Sequence, residues 1–460
     1  MLRRLVEDKE FIRTALKIAL PLMVQQWIQA SLGFVDVLMI GQLGDVPVAA
    51  VGLGNQFFFL LHVLTFGIGS GTAIFTAQFW GKRDIASIRK TLGFSLGISF
   101  FAGLVFGILA VFFPEQVLSV YTNDRAVIEL GRDFLRLVGL SFIFTACTFS
   151  FIAVLRSIEN IKLPMVVSIG ALSLNTLLGY ALILGNFGFP QLGVKGAGIA
   201  TAIAFTVEFF VLVLLTYRLK TPLAARLKEL FVPDLAYFKR FVRTASPVVF
   251  SEFFWSLGMA VYTMVYARIS TEAIAAINIS SSLEQMGFVT FIGMSNACAI
   301  IVGNRIGAGE TQKAYEYAGR FILIGFLGSL LLGGILFFVS TPALTLYQIT
   351  ETARGFAQNI LYIFSLTLWV RVMTIILFIG VLRSGGDTRF AFLVDILCLW
   401  LIGIPLALAG AFWLHLPVYW VYLLVLSEEA IKAVIVFRRF LTKRWINDLT
   451  IVAPGVELPV

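Results

Sequence analysis

The stretch Phe321–Val339 reads FILIGFLGSLLLGGILFFV and contains no charged residue. As a helix it would extend about 28 Å, close to the hydrocarbon thickness of about 30 Å. Comparable runs recur along the 460-residue chain, which is 59% hydrophobic and only 13% charged. A water-soluble fold of this length could not bury so much apolar surface. The sequence therefore predicts an all-α integral membrane protein.

Twelve such runs can be distinguished, and each is long enough to cross a membrane as a helix. They cover approximately residues 15–40, 49–79, 92–113, 127–155, 163–184, 197–215, 244–267, 273–302, 321–339, 360–382, 390–414 and 418–436. Lys and Arg test this count independently, because both accumulate in cytoplasmic loops.

Of the 35 Lys and Arg, 28 fall in the N-terminus, the even-numbered loops or the C-terminus, among them Arg3 and Arg4. Only six lie on or toward the other side, namely Arg125, Arg132, Arg136, Lys195, Arg268 and Arg354. We therefore expect a multi-pass protein of the plasma (cytoplasmic) membrane with both termini in the cytoplasm.

Composition also argues against several other functions. The net charge of +9 is spread over many loops and forms no single patch, so no nucleic acid partner is expected. There is no phosphate-binding loop for ATP and no His-Glu-x-x-His zinc signature. Cys147, Cys298 and Cys398 lie inside predicted helices and indicate no disulfide framework. We expect no enzyme activity and no organic cofactor.

The second half of the sequence repeats the first at a shift of 226 residues. This shift aligns three pairs without a gap: Pro21 with Pro247, Gly67 with Gly293, and Gly81 with Gly307. Farther on, Val154-Leu155-Arg156-Ser157 matches Val381-Leu382-Arg383-Ser384 at a shift of 227. Because each repeat holds an even number of predicted helices, both begin on the cytoplasmic side. We expect two six-helix lobes, residues 1–225 and 226–460, around a central cleft.

Pro21 and Pro247 fall within the first predicted helix of each half. Proline lacks an amide N–H and its ring clashes with the preceding turn, which weakens the local helix. We predict that both prolines act as hinges. The alternative is that each is a tolerated membrane proline without a moving role.

Several motifs together resemble the multidrug and toxic compound extrusion (MATE) transporters. They are, in chain order, Phe34-Val35-Asp36-Val37-Leu38-Met39-Ile40-Gly41 with Leu43-Gly44, the segment Gly67–Gly81, Leu155-Arg156-Ser157, Gly193–Ala202 and Leu382-Arg383-Ser384-Gly385-Gly386-Asp387. Their order and the twelve predicted helices extend the resemblance over essentially the whole chain.

The resemblance implies two six-helix lobes in a V and secondary active antiport. Organic cations or other amphipathic small molecules would leave the cell in exchange for Na+ or H+. The resemblance assigns cation coupling to Asp36, with Asn175 and Thr201 as companion positions and as Na+ ligands if Na+ is the coupling ion. One position departs from it, since some relatives carry a second carboxylate where this chain has Gly179.

Asp36 is an acidic residue within a predicted membrane helix. A carboxylate there costs about 2.5–3.5 kcal/mol, so it needs a partner, water or a function. Asp36 could bind a proton or, with oxygens from Asn175 and Thr201, Na+. The alternative is a polar contact between helices. For Asn175 and Thr201, the residue types alone favour packing.

In the second half, Glu252, Arg371 and Asp395 lie within predicted helices and are expected to form one cluster. A carboxylate facing an internal cavity could bind a cationic substrate or a proton, while Arg371 would stabilise its charged form. A static Arg371–Asp395 pair joining two helices is the alternative. Trp255, one turn from Glu252, offers an aromatic face to an organic cation.

A lipid-linked precursor flippase of the same superfamily would share the helix count and the repeat. Such a protein would be expected to have a strongly basic cavity for a pyrophosphate group. Three intramembrane carboxylates against Arg371 alone favour a cationic cargo instead. The expected partners are a small amphipathic cation and membrane lipid, and the chain is expected to act as a monomer.

Overall fold

The computed structural model of the protein describes residues 8–345, 347 and 349–451, with all their side chains except those of Ala30, Phe34 and Met286. Arg3 and Arg4 lie outside the described residues. Helices follow one another through short connections, and the described part of the chain contains no strand. The all-α prediction is confirmed.

Each of the twelve predicted runs corresponds to one helical segment, which we name α1 to α12. Their bounds are α1 Lys9–Gly41, α2 Asp45–Gly81, α3 Ile85–Phe112, α4 Arg125–Gly139 with Phe142–Ser157, α5 Lys162–Leu184, α6 Val194–Arg218, α7 Leu235–Ile269, α8 Thr271–Gly307, α9 Thr311–Leu344, α10 Glu351–Arg383, α11 Thr388–Trp413 and α12 Val418–Leu441. Two short helices, Pro114–Ser119 and Leu227–Leu230, lie between them.

Three of these segments are not regular α-helices. The two parts of α4 meet at an angle of 51°. The last part of α10, Ile376–Arg383, is π-helical, and α11 contains π-helical turns at Leu399–Gly403 and Ala409–Trp413. A π-helical turn changes the direction in which later side chains point, so sequence spacing alone does not give their orientation.

Ten of the helices are long and apolar enough to cross a membrane individually, and the two parts of α4 qualify together. The remaining segment, α12, carries Glu428, Glu429 and Lys432 near its middle. Lys432 pairs with both glutamates, so part of their negative charge is compensated within the protein. At 24 residues, α12 is also long enough to span a membrane.

The described chain divides into two compact units. The first, here the C-unit, combines the described parts of Met1–Met23 and Phe250–Val460 with Ala77–Lys82; the second, the N-unit, combines Val24–Thr76 with Arg83–Val249. Two of the divisions fall inside α1 and α7, each two residues after Pro21 or Pro247. The lobe boundary predicted at residue 225 stays a prediction based on the sequence repeat.

Repeated glycines lie where helix backbones approach closely. In the N-unit, a Cβ atom added at Gly67 would lie 2.8 Å from the Cα atom of Val249. In the C-unit, a Cβ atom at the equivalent Gly293 would lie 3.0 Å from the backbone nitrogen of Met23. The 226-residue shift also relates Val249 to Met23. Residues related by the sequence repeat therefore make equivalent glycine contacts in the two units.

The C-terminal segment, residues 442–450, packs into the C-unit. The Trp445 side chain is fully buried, and the Asn447 amide donates to the carbonyl of Gly385 at 2.9 Å. Gln78 donates to the carbonyls of Ser384 and Asn447, both at 3.1 Å, and accepts from the Leu449 amide at 2.6 Å. The end of α2 and the loop after α10 are thus joined through this segment.

Candidate ion and cargo sites

Asp36 lies on the face of α1 that packs against α5 in the N-unit. The Thr176 side chain of α5 lies beside its carboxylate. One turn along each helix, Met39 packs against Gly179, where an added Cβ atom would lie 3.1 Å from the Met39 Cε atom. The Asp36 Oδ1 and Thr176 Oγ1 atoms are both buried without a hydrogen-bond partner. The Asp36 Oδ1 atom therefore remains available to a proton or a cation, with the Thr176 hydroxyl beside the carboxylate.

Asn175 and Thr201, the other two predicted coupling residues, contact each other. The Asn175 Nδ2 atom donates to the Thr201 Oγ1 atom at 3.1 Å, which joins α5 to α6. Asn175 is buried and precedes Thr176 in the chain. The contact fits either a packing role or a polar wall for the Asp36 site.

The donor set around Asp36 fits Na+ chemically, because a carboxylate with neutral oxygen ligands suits a hard cation. Gly179 has no side chain and so supplies no second carboxylate, and the Met39 side chain packs against this position. Among the described residues, no group of three or more His, Cys, Asp and Glu side chains is placed to hold a metal ion. The same carboxylate also suits a proton.

A second buried polar group in the N-unit surrounds Arg156 at the end of α4. Its Nη2 atom donates to the Gln25 Oε1 atom at 2.9 Å. The negative charge of Glu208 in α6 attracts the Arg156 guanidinium through space. The Glu208 Oε1 atom accepts a hydrogen bond from the Ser168 hydroxyl at 2.7 Å. The Arg156 Nε and Gln25 Nε2 atoms are buried and unpaired.

In the C-unit, Glu252 and Asp395 belong to one connected network. The Arg383 Nη1 atom lies 2.6 Å from the Glu252 Oε1 atom, and its Nη2 atom lies 3.5 Å from the Ser251 Oγ atom. The Ser251 hydroxyl donates to the Asp395 Oδ2 atom at 2.6 Å. Arg383, which the sequence analysis did not treat as a site residue, therefore connects these two carboxylates.

Lys432 of α12 is the main basic partner of Asp395. Its Nζ atom lies 3.0 Å from Asp395, 2.7 Å from Glu428 and 3.6 Å from Glu429. The Tyr262 hydroxyl donates to the Glu428 carboxylate at 3.2 Å. Asp395, Glu428 and Lys432 are all buried. The single ammonium group of Lys432 is thus shared by three carboxylates and offsets only part of their negative charge.

Arg371 is not part of the cluster predicted with Glu252 and Asp395, and the alternative of an Arg371–Asp395 pair does not hold either. The Arg371 Nη1 atom lies 3.0 Å from the Glu284 Oε2 atom, and the Tyr422 hydroxyl donates to the other Glu284 oxygen at 2.8 Å. The Arg371 guanidinium also lies 5.5 Å from the centre of the Phe288 ring. Arg371 therefore belongs to a separate ion pair that joins α8, α10 and α12.

Trp255 is 39% exposed, so its ring is accessible in the described structure. A separate cavity of about 740 Å³ lies between α9, α10 and α12, with Glu316, Arg320, Phe326 and Phe437 in its wall. None of the residues predicted to bind cargo lines this cavity.

The sequence model of the MatE family matches this chain twice, over residues 21–181 and 247–409. The chain belongs to the MatE family. The two matches begin at Pro21 and Pro247, the residues that the internal repeat aligns, so each half carries one copy of the family pattern.

Other MatE proteins resemble the chain over most of its length. The uncharacterized transporter YisQ of Bacillus subtilis (strain 168) is 26% identical and covers 96% of each chain. The probable multidrug resistance protein NorM of Bacillus anthracis is 25% identical over 84% of this chain and 85% of its own. The crystal structure of MATE in the bent conformation has the same fold, with a TM-score of 0.85, 18% identity and coverage of 94% and 95%.

As a MatE protein, the chain is a multi-pass membrane transporter and not an enzyme. Sequence reasoning missed several of the groups that surround its predicted site residues. Lys432 and Glu428 could have been found, because they interrupt an apolar run at a spacing of four residues. Thr176 carried no such signal, since a single threonine is common in membrane helices.

Proposed function

We propose that this MatE protein is a secondary antiporter that exports organic cations or other amphipathic small molecules in exchange for Na+ or H+. The observation that carries the proposal is Asp36, a membrane carboxylate with a buried, unpaired oxygen atom. Neutralising that charge with an incoming ion offsets the cost of keeping it in the membrane. The name of NorM, a probable multidrug resistance protein, supports export of foreign compounds.

Asp36 is the proposed coupling residue, and Thr176 is a neighbouring ligand. Asn175, which precedes Thr176 in α5, donates to Thr201 of α6. These two residues complete a polar wall beside Asp36. Binding of Na+ or H+ at Asp36 would be linked to release of cargo. Such linkage requires that the two ligands favour different states of the protein.

The C-unit is the proposed source of attraction for a cationic cargo. Its network contains the four carboxylates of Glu252, Asp395, Glu428 and Glu429, whose basic partners are Arg383 and Lys432. The network therefore has an excess of negative charge when all these groups are ionised. Trp255 would add an aromatic face one turn from Glu252. In this proposal Arg371 has the indirect role of fixing Glu284 and α10.

Pro21 and Pro247 are the proposed hinges. Each lies two residues before a division between the compact units, in a helix that belongs partly to both. A missing backbone hydrogen bond at these positions lowers the resistance of the helix to bending. We further propose that the protein acts as a monomer in the cytoplasmic membrane, surrounded by lipid.

The test is export of a fluorescent organic cation from proteoliposomes under separately imposed Na+ and pH gradients. Wild-type protein should respond to one gradient, and Asp36→Asn should abolish coupled transport because the exchangeable charge is lost. Asp45→Asn is the matched control, since Asp45 is an exposed carboxylate at the start of α2. Undiminished coupled transport by Asp36→Asn would remove Asp36 from the mechanism. Absence of transport under every gradient would favour a lipid-linked precursor flippase.

A further inference from the structure

The cavity of about 740 Å³ between α9, α10 and α12 has one polar end and is open to the outside of the C-unit. Its polar end lies at the start of α9, where Gln312 and Glu316 are both exposed. Farther along α9 its wall consists of the apolar side chains of Leu323 and Phe326. Leu441 of α12 also lines the cavity and is 53% exposed. A molecule in the surrounding bilayer therefore has direct access to it.

The cavity extends from the membrane surface into one leaflet. Its α9 residues recur every three or four positions from Gln312 to Phe326, so they share one face over about 21 Å of helix. The uncharged run of α9 begins at Phe321, which puts Gln312 at the headgroup level and Phe326 in hydrocarbon. The charge pattern of the sequence predicts that this end of α9 faces the cytoplasm.

Two opposite charges lie at the polar end, separated by one neutral amide. The Lys443 Nζ atom donates to the Gln312 Oε1 atom at 3.1 Å, and the Gln312 Nε2 atom donates to the Glu316 Oε1 atom at 3.0 Å. The Lys443 ammonium also lies 4.6 Å from the centre of the Tyr315 ring. Within the described part of the chain, neither Lys443 nor Glu316 has an ion-pair partner. Both charges therefore remain available to a bound molecule.

Buried aromatic contacts hold Lys443 at this place. The Trp445 side chain is fully buried, and its Nε1 atom donates to the carbonyl of Phe440 at 3.2 Å. The Phe440 ring stacks on the Tyr315 ring with 4.7 Å between their centres. The turn after α12 is thus fixed against α9, which positions the ammonium group before any ligand binds.

The two charges indicate the chemistry of the occupant. An ammonium group such as that of Lys443 attracts a phosphate, and a carboxylate such as that of Glu316 accepts hydrogen bonds from a primary ammonium. Arg320, a further charged residue of the wall, already pairs with Asp8. Phosphatidylethanolamine carries both matching groups on an apolar tail. Phosphatidylglycerol has no cation, and the quaternary ammonium of phosphatidylcholine has no N–H to donate.

We propose that this cavity binds one phosphatidylethanolamine molecule of the bilayer. Its phosphate lies at Lys443, its ammonium group at Glu316, and one acyl chain follows the apolar wall past Leu323 to Phe326. The lipid fills the space between α9 and α12 and is a resident of the C-unit, not cargo. The proposal is independent of the antiport, since none of the residues proposed to bind an ion or cargo lines the cavity.

The test is native mass spectrometry of the full-length protein, stripped of lipid in detergent and titrated with phospholipids that share the same acyl chains. Wild-type protein should bind the first phosphatidylethanolamine at least about threefold more tightly than phosphatidylglycerol or phosphatidylcholine. This factor corresponds to one additional ion pair near a surface.

Two neutral variants separate the charges. Glu316→Gln should weaken binding of phosphatidylethanolamine by about threefold to fivefold and should not weaken phosphatidylglycerol, which makes no use of the carboxylate. Lys443→Gln should weaken all three lipids, because each has a phosphate. Glu129→Gln and Lys228→Gln are the matched controls, since both replace exposed side chains of the N-unit, and they should leave all affinities unchanged.

Two further variants test the orientation of the lipid. Glu316→Lys should reverse the preference in favour of phosphatidylglycerol, because the polar end then carries two positive charges. Leu323→Trp should weaken all three lipids without changing their order, since the larger ring occupies the path of the acyl chain. Melting temperatures establish that each variant is folded, and the substitutions of exposed Glu316 and Lys443 decide the matter if Leu323→Trp is not.

Equal affinities of the wild-type protein for the three lipids would overturn the proposal, because they would indicate unselective lipid around the helices. An unchanged lipid preference in Glu316→Gln would also overturn it. Tetraphenylphosphonium, an organic cation without a phosphate, should leave the bound phosphatidylethanolamine in place. Displacement of the lipid by this cation, with binding of the cation lost in Glu316→Gln, would make the cavity a cargo site instead.

Discussion

At the scale of single residues, the buried charges of the C-unit depend on a few basic side chains. Lys432 contacts Asp395, Glu428 and Glu429, and its own side chain is only 5% exposed. Removing one member of a buried ion pair leaves an uncompensated charge, which is strongly destabilising. Lys432 is therefore expected to be a stability determinant as well as part of the proposed cargo region.

Lys432→Met should lower the free energy of unfolding by about 3–5 kcal/mol, because it leaves buried carboxylates without their ammonium partner. Thermal unfolding of the purified protein in detergent, followed by tryptophan fluorescence, measures this change. Arg354→Gln is the control, since its pair with Glu351 is largely exposed and should contribute at most about 1 kcal/mol. Similar melting temperatures for the two variants would contradict the prediction.

Asp8 lies just before α1, and its contribution to the stability of the folded protein is expected to depend on pH. It pairs with Arg320 and accepts from the Phe11 amide at 3.0 Å, and these contacts lower the pKa of its carboxyl group. A lowered folded-state pKa stabilises the protein above the unfolded value of about 3.9. This stabilisation is lost as the pH falls through the lower, folded-state pKa.

Asp8→Asn should therefore reduce stability at pH 7, by about 1 kcal/mol or less because the pair is partly exposed. Below the folded-state pKa, the variant and the wild type should converge, since both then carry a neutral group. Melting temperatures measured from pH 7 down to a pH below the folded-state pKa of Asp8 provide the comparison. A constant difference over that range would show that the ionised form of Asp8 has no special role.

At the scale of helices, the ends of α2 and α8 pack closely against each other in the C-unit. A Cβ atom at Gly81 would overlap the carbonyl of Asn304, and one at the repeat-related Gly307 would overlap the carbonyl of Gln78. Gln78 also binds the C-terminal segment. Glycine is therefore required at both positions for this crossing.

Gly307→Ala should destabilise the protein by about 3 kcal/mol, because the overlapping atom is backbone and cannot move aside easily. Gly97→Ala in α3 is the control. No atom lies within 4 Å of its added Cβ, and alanine is the better helix former by about 1 kcal/mol. Thermal unfolding of both variants tests the difference, and an unchanged melting temperature for Gly307→Ala would contradict the packing argument.

At the scale of the whole molecule, the distribution of charge predicts the orientation in the membrane. The connection between α5 and α6 contains no Lys or Arg from Gly185 to Gly193, whereas the connection after α6 contains Arg226 and Lys228. Basic segments stay in the cytoplasm. The two connections should therefore face opposite sides.

Phe189→Cys and Leu227→Cys place exposed thiols in these two connections. In intact cells, a membrane-impermeant maleimide should label residue 189 and not residue 227, and permeabilisation should expose both. The wild-type protein is the background control, since Cys147, Cys298 and Cys398 are buried. The opposite labelling pattern would invert the proposed topology.

The sequence by itself determined the membrane class, the helix count and the internal repeat. Apolar length is a local property, and a run such as Phe321–Val339 specifies a membrane helix wherever it packs. Asp36 could also be identified from the sequence alone, because a carboxylate within an apolar run is unusual whatever its neighbours in the fold are.

Only the tertiary structure decided which charges meet. Along an almost uniformly apolar helix, hydrophobic periodicity does not show which face is buried, so the sequence wrongly grouped Arg371 with Glu252 and Asp395. The π-helical end of α10 then changes the direction of Arg383 relative to Arg371. Arg383 pairs with Glu252, and Lys432 pairs with Asp395. Both pairs depend on how whole helices are rotated and packed against each other, and no single segment of the sequence carries that information.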